Sequence, residues 1–164
     1  MACAAHNPRD CRARIHHMNS LYLFRNDLRL GDQPGLESLA DSDRLLLVYC
    51  WPTAPAWCNL RGLGAQRERF LRESLRGLQR ELEPLGQGLL VLHTDPRVAI
   101  PQLVASFDID RVATQVAPGY YEAGQLDALS QALEVPLERF ENASLLRSEQ
   151  LPGGLDTLPK QFTP

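Results

Sequence analysis

Residues 20–36 read SLYLFRNDLRLGDQPGL, an apolar run that passes directly into a segment dense in charge. The short continuous apolar stretch at residues 21–24 is typical of a strand buried on both faces of a sheet. Pro34 suits the first turn of a helix, and we predict a short helix from there to about Ala40. A buried strand, a charged loop and a helix form the opening of a βα unit, so this stretch predicts an α/β domain.

The rest of the chain continues the alternation of strands and helices. Further strands are predicted over residues 45–49, 89–92, 111–116 and 136–140. Between them we predict helices over residues 65–85, from Asp95-Pro96 to about Phe107, and over residues 122–133. Strands separated by helices of this length pair in parallel. The predicted fold is therefore a doubly wound, five-stranded parallel sheet in a three-layer sandwich of Rossmann or flavodoxin type.

The longest predicted helix carries an apolar stripe and a charged face. The apolar positions recur at helical spacing: Phe70, Leu71, Leu75, Leu78, Leu82 and Leu85. Arg72, Arg76 and Arg80 lie four residues apart on another face and suit a nucleic-acid patch. Interspersed glutamates favour a solvated, ion-paired face instead.

Length, charge and cysteine usage narrow the class of protein. The chain has 164 residues, a formal net charge of -3 and four cysteines. This length suits one domain with a core that needs no crosslinks. The charge excludes a global basic field of the kind that drives non-specific DNA binding. No apolar run approaches the roughly 20 residues of a membrane span, and the cysteines form no CxxC pair, so we expect reduced thiols and a cytoplasmic location.

Both ends of the chain differ from its middle. Residues 1–17 lack periodicity, and we expect a disordered tail, or a misassigned start with Met18 as the true one. A targeting peptide and a metal clip are the alternatives, and the clip would use Cys3, His6, Cys11, His16 and His17. That spacing fits no zinc pattern, so we predict no metal site. Residues 18–141 hold the α/β domain, and residues 142–164 predict an extended tail.

The candidate site lies where the strands end. In open α/β sheets ligands bind beyond the carboxyl ends of the strands, which directs attention to four loops: residues 25–32, 51–64, 94–96 and 117–122. The first loop is the most charged, with Arg25, Asp27, Arg29 and Asp32. This cluster predicts either a ligand or domain contact, or internal ion pairs that shape the loop.

Sequence motifs for common chemistries are missing. The chain contains no GxGxxG, Walker A or GxSxG motif, so neither phosphate cradling nor a nucleophile elbow is indicated. His93 is interpreted as structural and Asp95 as a helix N-cap. The residues themselves predict a ligand-binding fold with no catalytic residue.

Three motifs carry a specific resemblance. Residues 23–36, LFRNDLRLGDQPGL, resemble the opening signature of the photolyase/cryptochrome family, FRxDLRxxDxxxL after a strand. Residues 64–75, GAQRERFLRESL, resemble the family helix GxxRxxFLxESL in the form typical of cryptochrome-DASH, which residues 50–52, CWP, also fit. Residues 144–163 are similar to the stretch that leads out of the family's α/β domain. The motif positions with an expected structural role are Arg29, Asp32, Arg67 and Phe70.

The resemblance implies a function for a complete member of the family. Such a protein binds FAD in a C-terminal helical domain and uses blue light to split pyrimidine dimers, in the DASH branch mainly in single-stranded DNA, or senses blue light. Its α/β half is an antenna module that often holds methenyltetrahydrofolate, whose pterin is hydrogen-bonded to a glutamate after strand four.

Glu122 stands at that glutamate's place in this chain. A carboxylate can accept two hydrogen bonds from a pterin's amino group and ring N–H. Tyr121, Arg25 and Asp27 complete the expected chromophore site. The alternatives are that Glu122 only charges the first turn of its helix and that the tyrosine packs as an ordinary half-buried aromatic.

The chain also departs from the family pattern. It stops at Pro164, where the family continues into its flavin domain, and Pro34 and Gly35 replace the usual residues after the second aspartate. We therefore expect no photolyase activity and no FAD binding by this chain alone, and DNA contact only through the missing half. Three hypotheses stay open: a split protein whose partner is a separate flavin-binding helical domain, a freestanding pterin- or nucleotide-binding regulatory module, and a gene fragment.

Overall fold

The sheet has five parallel strands, as predicted. The computed structural model describes residues 17–52, 63–117, 119–142 and 150. The strands are β1 (Asn19–Phe24), β2 (Arg44–Cys50), β3 (Leu89–Leu92), β4 (Arg111–Gln115) and β5 (Leu137–Phe140). Their order across the sheet is β3-β2-β1-β4-β5, with every neighbouring pair parallel. Apart from residues 17, 142 and 150, the predicted tails lie outside the described residues.

The helices follow the predicted order with shifted ends. They are α1 (Pro34–Glu37), α2 (Ala65–Leu82), α3 (Pro96–Phe107) and α4 (Tyr120–Ala132). The first is shorter than predicted, and α2 ends at Leu82 because Pro84 lies in a separate 3₁₀ turn, Glu83–Leu85. Gly86 follows that turn with a φ of 69°, a left-handed conformation that suits glycine.

Two hydrophobic layers cover the two faces of the sheet. Alternate residues of β1 divide between them, since Tyr22 and Phe24 face one layer whereas Leu21 and Leu23 face the other. The first layer buries Leu39, just after α1, and the core-facing leucines of α2. The second buries Ile100 of α3 and Leu129 of α4. The chain thus folds into the predicted three-layer sandwich, with α1 and α2 opposite α3 and α4.

The apolar stripe predicted for α2 is partly wrong. Leu75, Leu78 and Leu82 are buried, but Phe70 and Leu85 are 70% and 66% exposed. Phe70 precedes the half-buried Leu71 by one residue, which is about 100° around the helix, so only one of the two can face the sheet. Leu85 lies beyond the end of the helix, in the 3₁₀ turn.

The start of α3 agrees with the sequence prediction. Asp95 is the N-cap, and its carboxylate accepts a hydrogen bond from the backbone N–H of Arg97 at 2.9 Å. Pro101 lies within α3 and does not end the helix. Within the part of the chain that the structure describes, no helix has both the length and the apolar character needed to cross a lipid bilayer.

Candidate functional site

The sheet has a topological switch point between β1 and β4. The chain leaves β1 toward the face of α1, whereas it leaves β4 toward the opposite face, where α4 packs. The two loops therefore diverge at the carboxyl edge of the sheet, and we call the place between them the crevice, because ligands bind there in doubly wound folds. Arg25 begins the loop after β1, and Glu122 lies in the first turn of α4.

Arg25 reaches across this crevice to α4. Its Nη1 donates to the backbone oxygen of Glu122 at 3.4 Å, and its Nη2 donates to Oε1 of Gln125 at 3.2 Å. Burial lowers the pKa of the Arg25 guanidinium, and the charge of Glu122 opposes that shift. The structure thus brings together two of the predicted site residues, Arg25 and Glu122.

The carboxylate of Glu122 folds back onto the N-terminus of its own helix. Oε2 of Glu122 would lie only 1.9 Å from a Cβ placed on Gly119, the N-cap of α4. This position suits a negative charge at a helix N-terminus, as the alternative interpretation of Glu122 expected. Among the described residues, no hydrogen bond to this carboxylate is seen.

Two aromatic side chains form the rim beside Glu122. Tyr120 is 85% exposed and Tyr121 is 48% exposed, and their rings meet edge to face at 5.4 Å. Exposed aromatic rings next to a charged crevice suit stacking on a flat ligand or contact with another protein surface.

Asp27 lies on the other side of the crevice. Its carboxylate binds Arg29 through two short contacts, Nε–Oδ1 at 2.9 Å and Nη2–Oδ2 at 2.7 Å. The hydrogen bond from Arg29 holds the pKa of Asp27 below its usual range. Asp32 adopts a left-handed conformation with a φ of 56°, which turns the loop toward α1. The charged cluster after β1 therefore forms internal ion pairs at Asp27 and Arg29, and a contact across the crevice at Arg25.

Neutral amides complete this side of the site, and sequence reasoning missed them. Oε1 of Gln115, at the end of β4, accepts from the backbone N–H of Asp27 at 3.0 Å. Nδ2 of Asn142 donates to Asp27 and to Gln33, whose Oε1 also accepts from the Tyr22 hydroxyl. A polar residue at the end of a buried strand, as Gln115 is, was the one available signal.

The remaining predicted residues lie away from the crevice. Arg67 of α2 is exposed. Burial raises the pKa of Tyr49 to about 12, and the positive charge of Arg67 partly offsets this rise. His93 stacks on Trp51 with ring centres 5.4 Å apart, and the Arg72 guanidinium lies 5.1 Å from the same Trp51 ring. This arrangement gives His93 a packing role, as the sequence indicated.

The arginine stripe of α2 is partly ion-paired. Arg72 binds Glu68 at 2.7 Å and Arg69 binds Glu73 at 2.9 Å, both with the spacing of one helical turn. Arg76 and Arg80 line an open concavity of about 540 Å³ together with Glu73 and Gln79. The ion pairs agree with a solvated face. Among the described residues, no group of three or more His, Cys, Asp or Glu side chains is placed to bind a metal ion.

Fold and crevice together define a class of protein. A three-layer α/β sandwich with charged residues at its switch point has the architecture of a doubly wound domain, the class of fold in which ligands bind at that place. The chain belongs to the DNA photolyase family, because the model of that family matches residues 20–164.

Individual relatives agree with this assignment. The chain is 33% identical over 148 residues to a cryptochrome DASH of Idiomarina loihiensis and 31% identical over 150 residues to one of Gloeobacter violaceus, in each case over 87% of its length. It superposes on the crystal structure of a Synechocystis cryptochrome with a TM-score of 0.81 and 27% identity, over 90% of this chain and 32% of that one. The chain spans about a third of the length of the curated relatives it matches, 33% and 30% of the two DASH proteins. The match corresponds to the N-terminal α/β domain of the family.

Proposed function

We propose that this chain is the antenna-type α/β domain of a DASH-like member of the family and that it binds a folate chromophore at Glu122. The observation that carries the proposal is the contact of Arg25 with the first turn of α4, which holds Glu122 at the switch point of the sheet. The resemblance to the family supports the choice of Glu122, because this residue stands where a glutamate after strand four is expected to contact the pterin.

The donors and acceptors of the crevice fit a pterin. Glu122 offers two carboxylate oxygens that no described protein group occupies, and a pterin presents an amino group and a ring N–H side by side. The half-buried guanidinium of Arg25 and the N-terminus of α4 provide positive potential that keeps an anionic acceptor favourable there. Tyr121 offers a partly exposed ring for stacking. When bound, the folate would supply light absorption, and the residues of this chain would hold and orient it.

The exposed aromatic rim supports a partner for this crevice. A tyrosine that is 85% exposed, Tyr120, lies directly beside Glu122, and a second protein surface would bury it. We propose that the partner is a flavin-binding helical domain, that DNA is contacted through that domain, and that FAD binds there and not to this α/β domain. We expect the α/β domain alone to bind folate more weakly than it does with this partner, because the partner would contribute further contacts to the ligand.

Equilibrium binding of methenyltetrahydrofolate tests the role of Glu122. We expect Glu122→Gln to weaken binding at least about tenfold, because it removes a charge-assisted acceptor worth about 1.5–3 kcal/mol. Glu134→Gln is the matched control, since Glu134 is an exposed glutamate beyond the end of α4, and it should leave the affinity unchanged. Equal affinities for the wild-type protein and Glu122→Gln would show that the folate, if bound, sits elsewhere.

A further inference from the structure

We propose that Asn142 is a positioning residue for the crevice: it holds the loop that carries Arg25 by binding the carboxylate of Asp27. The ligand part of this inference rests on the proposed function, whereas the structural part does not. The two residues are 115 positions apart, and Asn142 is the second residue after β5.

The contacts of Asn142 join two loops and a helix start. Its Nδ2 donates to Oδ2 of Asp27 at 3.1 Å and to Oε1 of Gln33 at 2.8 Å. Gln33 is the N-cap of α1 and is 1% exposed. The same Oε1 accepts from the buried hydroxyl of Tyr22 in β1 at 3.1 Å. One side-chain amide thus ties the exit from β5 to the loop after β1 and to the start of α1.

The orientation of the Asn142 amide follows from its neighbours. Both partners of Nδ2 present oxygens that accept, and the ionised carboxylate of Asp27 cannot donate. The opposite orientation would place Oδ1 of Asn142 against that carboxylate. Within the described residues, the observed orientation leaves two buried atoms without a partner, Oδ1 of Asn142 and Nε2 of Gln33. Unpaired buried polar atoms are costly, so the bond to Asp27 dominates the local arrangement.

Asp27 connects this contact to Arg25. The Asp27 side chain is only 13% exposed, and its backbone N–H donates to Gln115 at the end of β4. With side chain and backbone both held, the turn of residues 25–27 has little freedom, and Arg25 is directed across the crevice to α4. Loss of Asn142 leaves the Asp27 carboxylate bound to the backbone N–H and the 59% exposed side chain of Arg29, two residues away, and removes its contact with the exit from β5. Asn142 therefore acts on Glu122 through the loop, without touching the ligand.

The first test is amide hydrogen exchange at Asp27, whose N–H reports the bond to Gln115. We expect Asn142→Ala to lower the protection factor of this amide at least about tenfold and to weaken folate binding by a smaller factor. Asn26→Ala is the matched control, because Asn26 is an exposed asparagine in the same loop, and it should change neither value. Unchanged protection in Asn142→Ala would overturn the proposal. If the wild-type protein binds no folate, the exchange result still decides the role of Asn142, and only the proposed function fails.

A second variant separates this role from simple packing. Asn142→Asp places a second carboxyl beside that of Asp27, which is itself paired with Arg29. At neutral pH the two carboxylates repel, whereas a protonated carboxyl donates to its neighbour, as in shared-proton pairs. The protection factor of Asp27 in this variant should therefore rise at least about tenfold as the pH falls from 7 to 4. A protection factor that does not rise would contradict the positioning role.

Discussion

Nη1 of Arg25 lies 3.4 Å from the backbone oxygen of Glu122, although the two residues are 97 positions apart in the chain. The contact spans the crevice between the two neighbouring strands whose connections leave the sheet on opposite faces. It therefore links the loop after the first strand to Glu122, the residue that we propose as the chromophore contact. Substitutions around this contact, and in the core that supports it, should therefore change ligand binding or stability in specific ways.

Gly119→Ala should displace the Glu122 carboxylate without unfolding the domain. A Cβ at Gly119 would lie 1.9 Å from Oε2 of Glu122, but that atom ends a flexible side chain and can move. We expect weaker folate binding with a change in unfolding free energy of less than about 1 kcal/mol. Gly124→Ala is the control in the same helix, because a Cβ there meets nothing within 4 Å. It should keep the affinity and raise stability by up to about 1 kcal/mol.

Gly35→Ala should destabilise the fold. A Cβ at Gly35 would lie 2.7 Å from Cε2 of Tyr22 and 3.2 Å from Cδ2 of Phe140, two rings packed in the first layer of the core. Rigid rings cannot yield as a side-chain end does, so urea unfolding should show a loss of about 1–3 kcal/mol. Gly77→Ala, in the interior of α2, adds a Cβ into open space and should stabilise by up to about 1 kcal/mol. An equal effect of both substitutions would refute the close packing of α1.

Position 108 should accept glycine and reject a β-branched residue. Asp108 ends α3 in the left-handed conformation, with a φ of 49°. Asp108→Gly should change the unfolding free energy by less than about 1 kcal/mol, because glycine adopts this conformation without steric strain. Asp108→Val should cost about 1–2 kcal/mol, because aspartate tolerates the left-handed conformation whereas a Cβ with two branches crowds the backbone. Thermal unfolding of the two variants measures the difference. A valine variant as stable as the wild-type protein would contradict the left-handed conformation at position 108.

Stability should fall in acid partly through Asp95. Hydrogen bonds from the side chain of Arg97 hold the pKa of Asp95 below its ordinary value of 3.8. Such a group contributes stability that is complete above the unfolded-state pKa and is lost as the pH falls through the lower folded-state value. Asp95→Asn keeps an N-cap side chain but cannot titrate. Urea unfolding between pH 6 and 2 should therefore show a shallower acid loss in the variant, and identical slopes would contradict the assignment.

The strands and their order of appearance were predictable because they leave a direct mark on the sequence. The run at residues 21–24 is apolar throughout, as a strand covered on both faces must be. The exposure of Phe70 was not predictable, because two neighbouring apolar residues on a helix leave open which of them faces the sheet. The spacing of apolar residues therefore predicts the buried face of a helix only to within about one residue.

The residues of the candidate site were likewise only partly predictable from the sequence. Charged residues after strands pointed to Arg25, and the family motif pointed to Glu122. Gln33 and Asn142 left no such signal, because they are neutral and lie 109 positions apart. Their role depends on the close approach of the β5 exit to the start of α1, which only the folded chain reveals.

The absorption spectrum of the purified protein during titration with methenyltetrahydrofolate tests the central claim most directly. We predict a saturable red shift of the near-ultraviolet folate band with the wild-type protein, and no shift in the absorption bands of FAD when FAD is added instead. The shift should disappear in Glu122→Gln and persist in Glu134→Gln. A folate spectrum that is unchanged up to saturating protein, or a shift that survives in Glu122→Gln, would contradict an antenna site at this crevice.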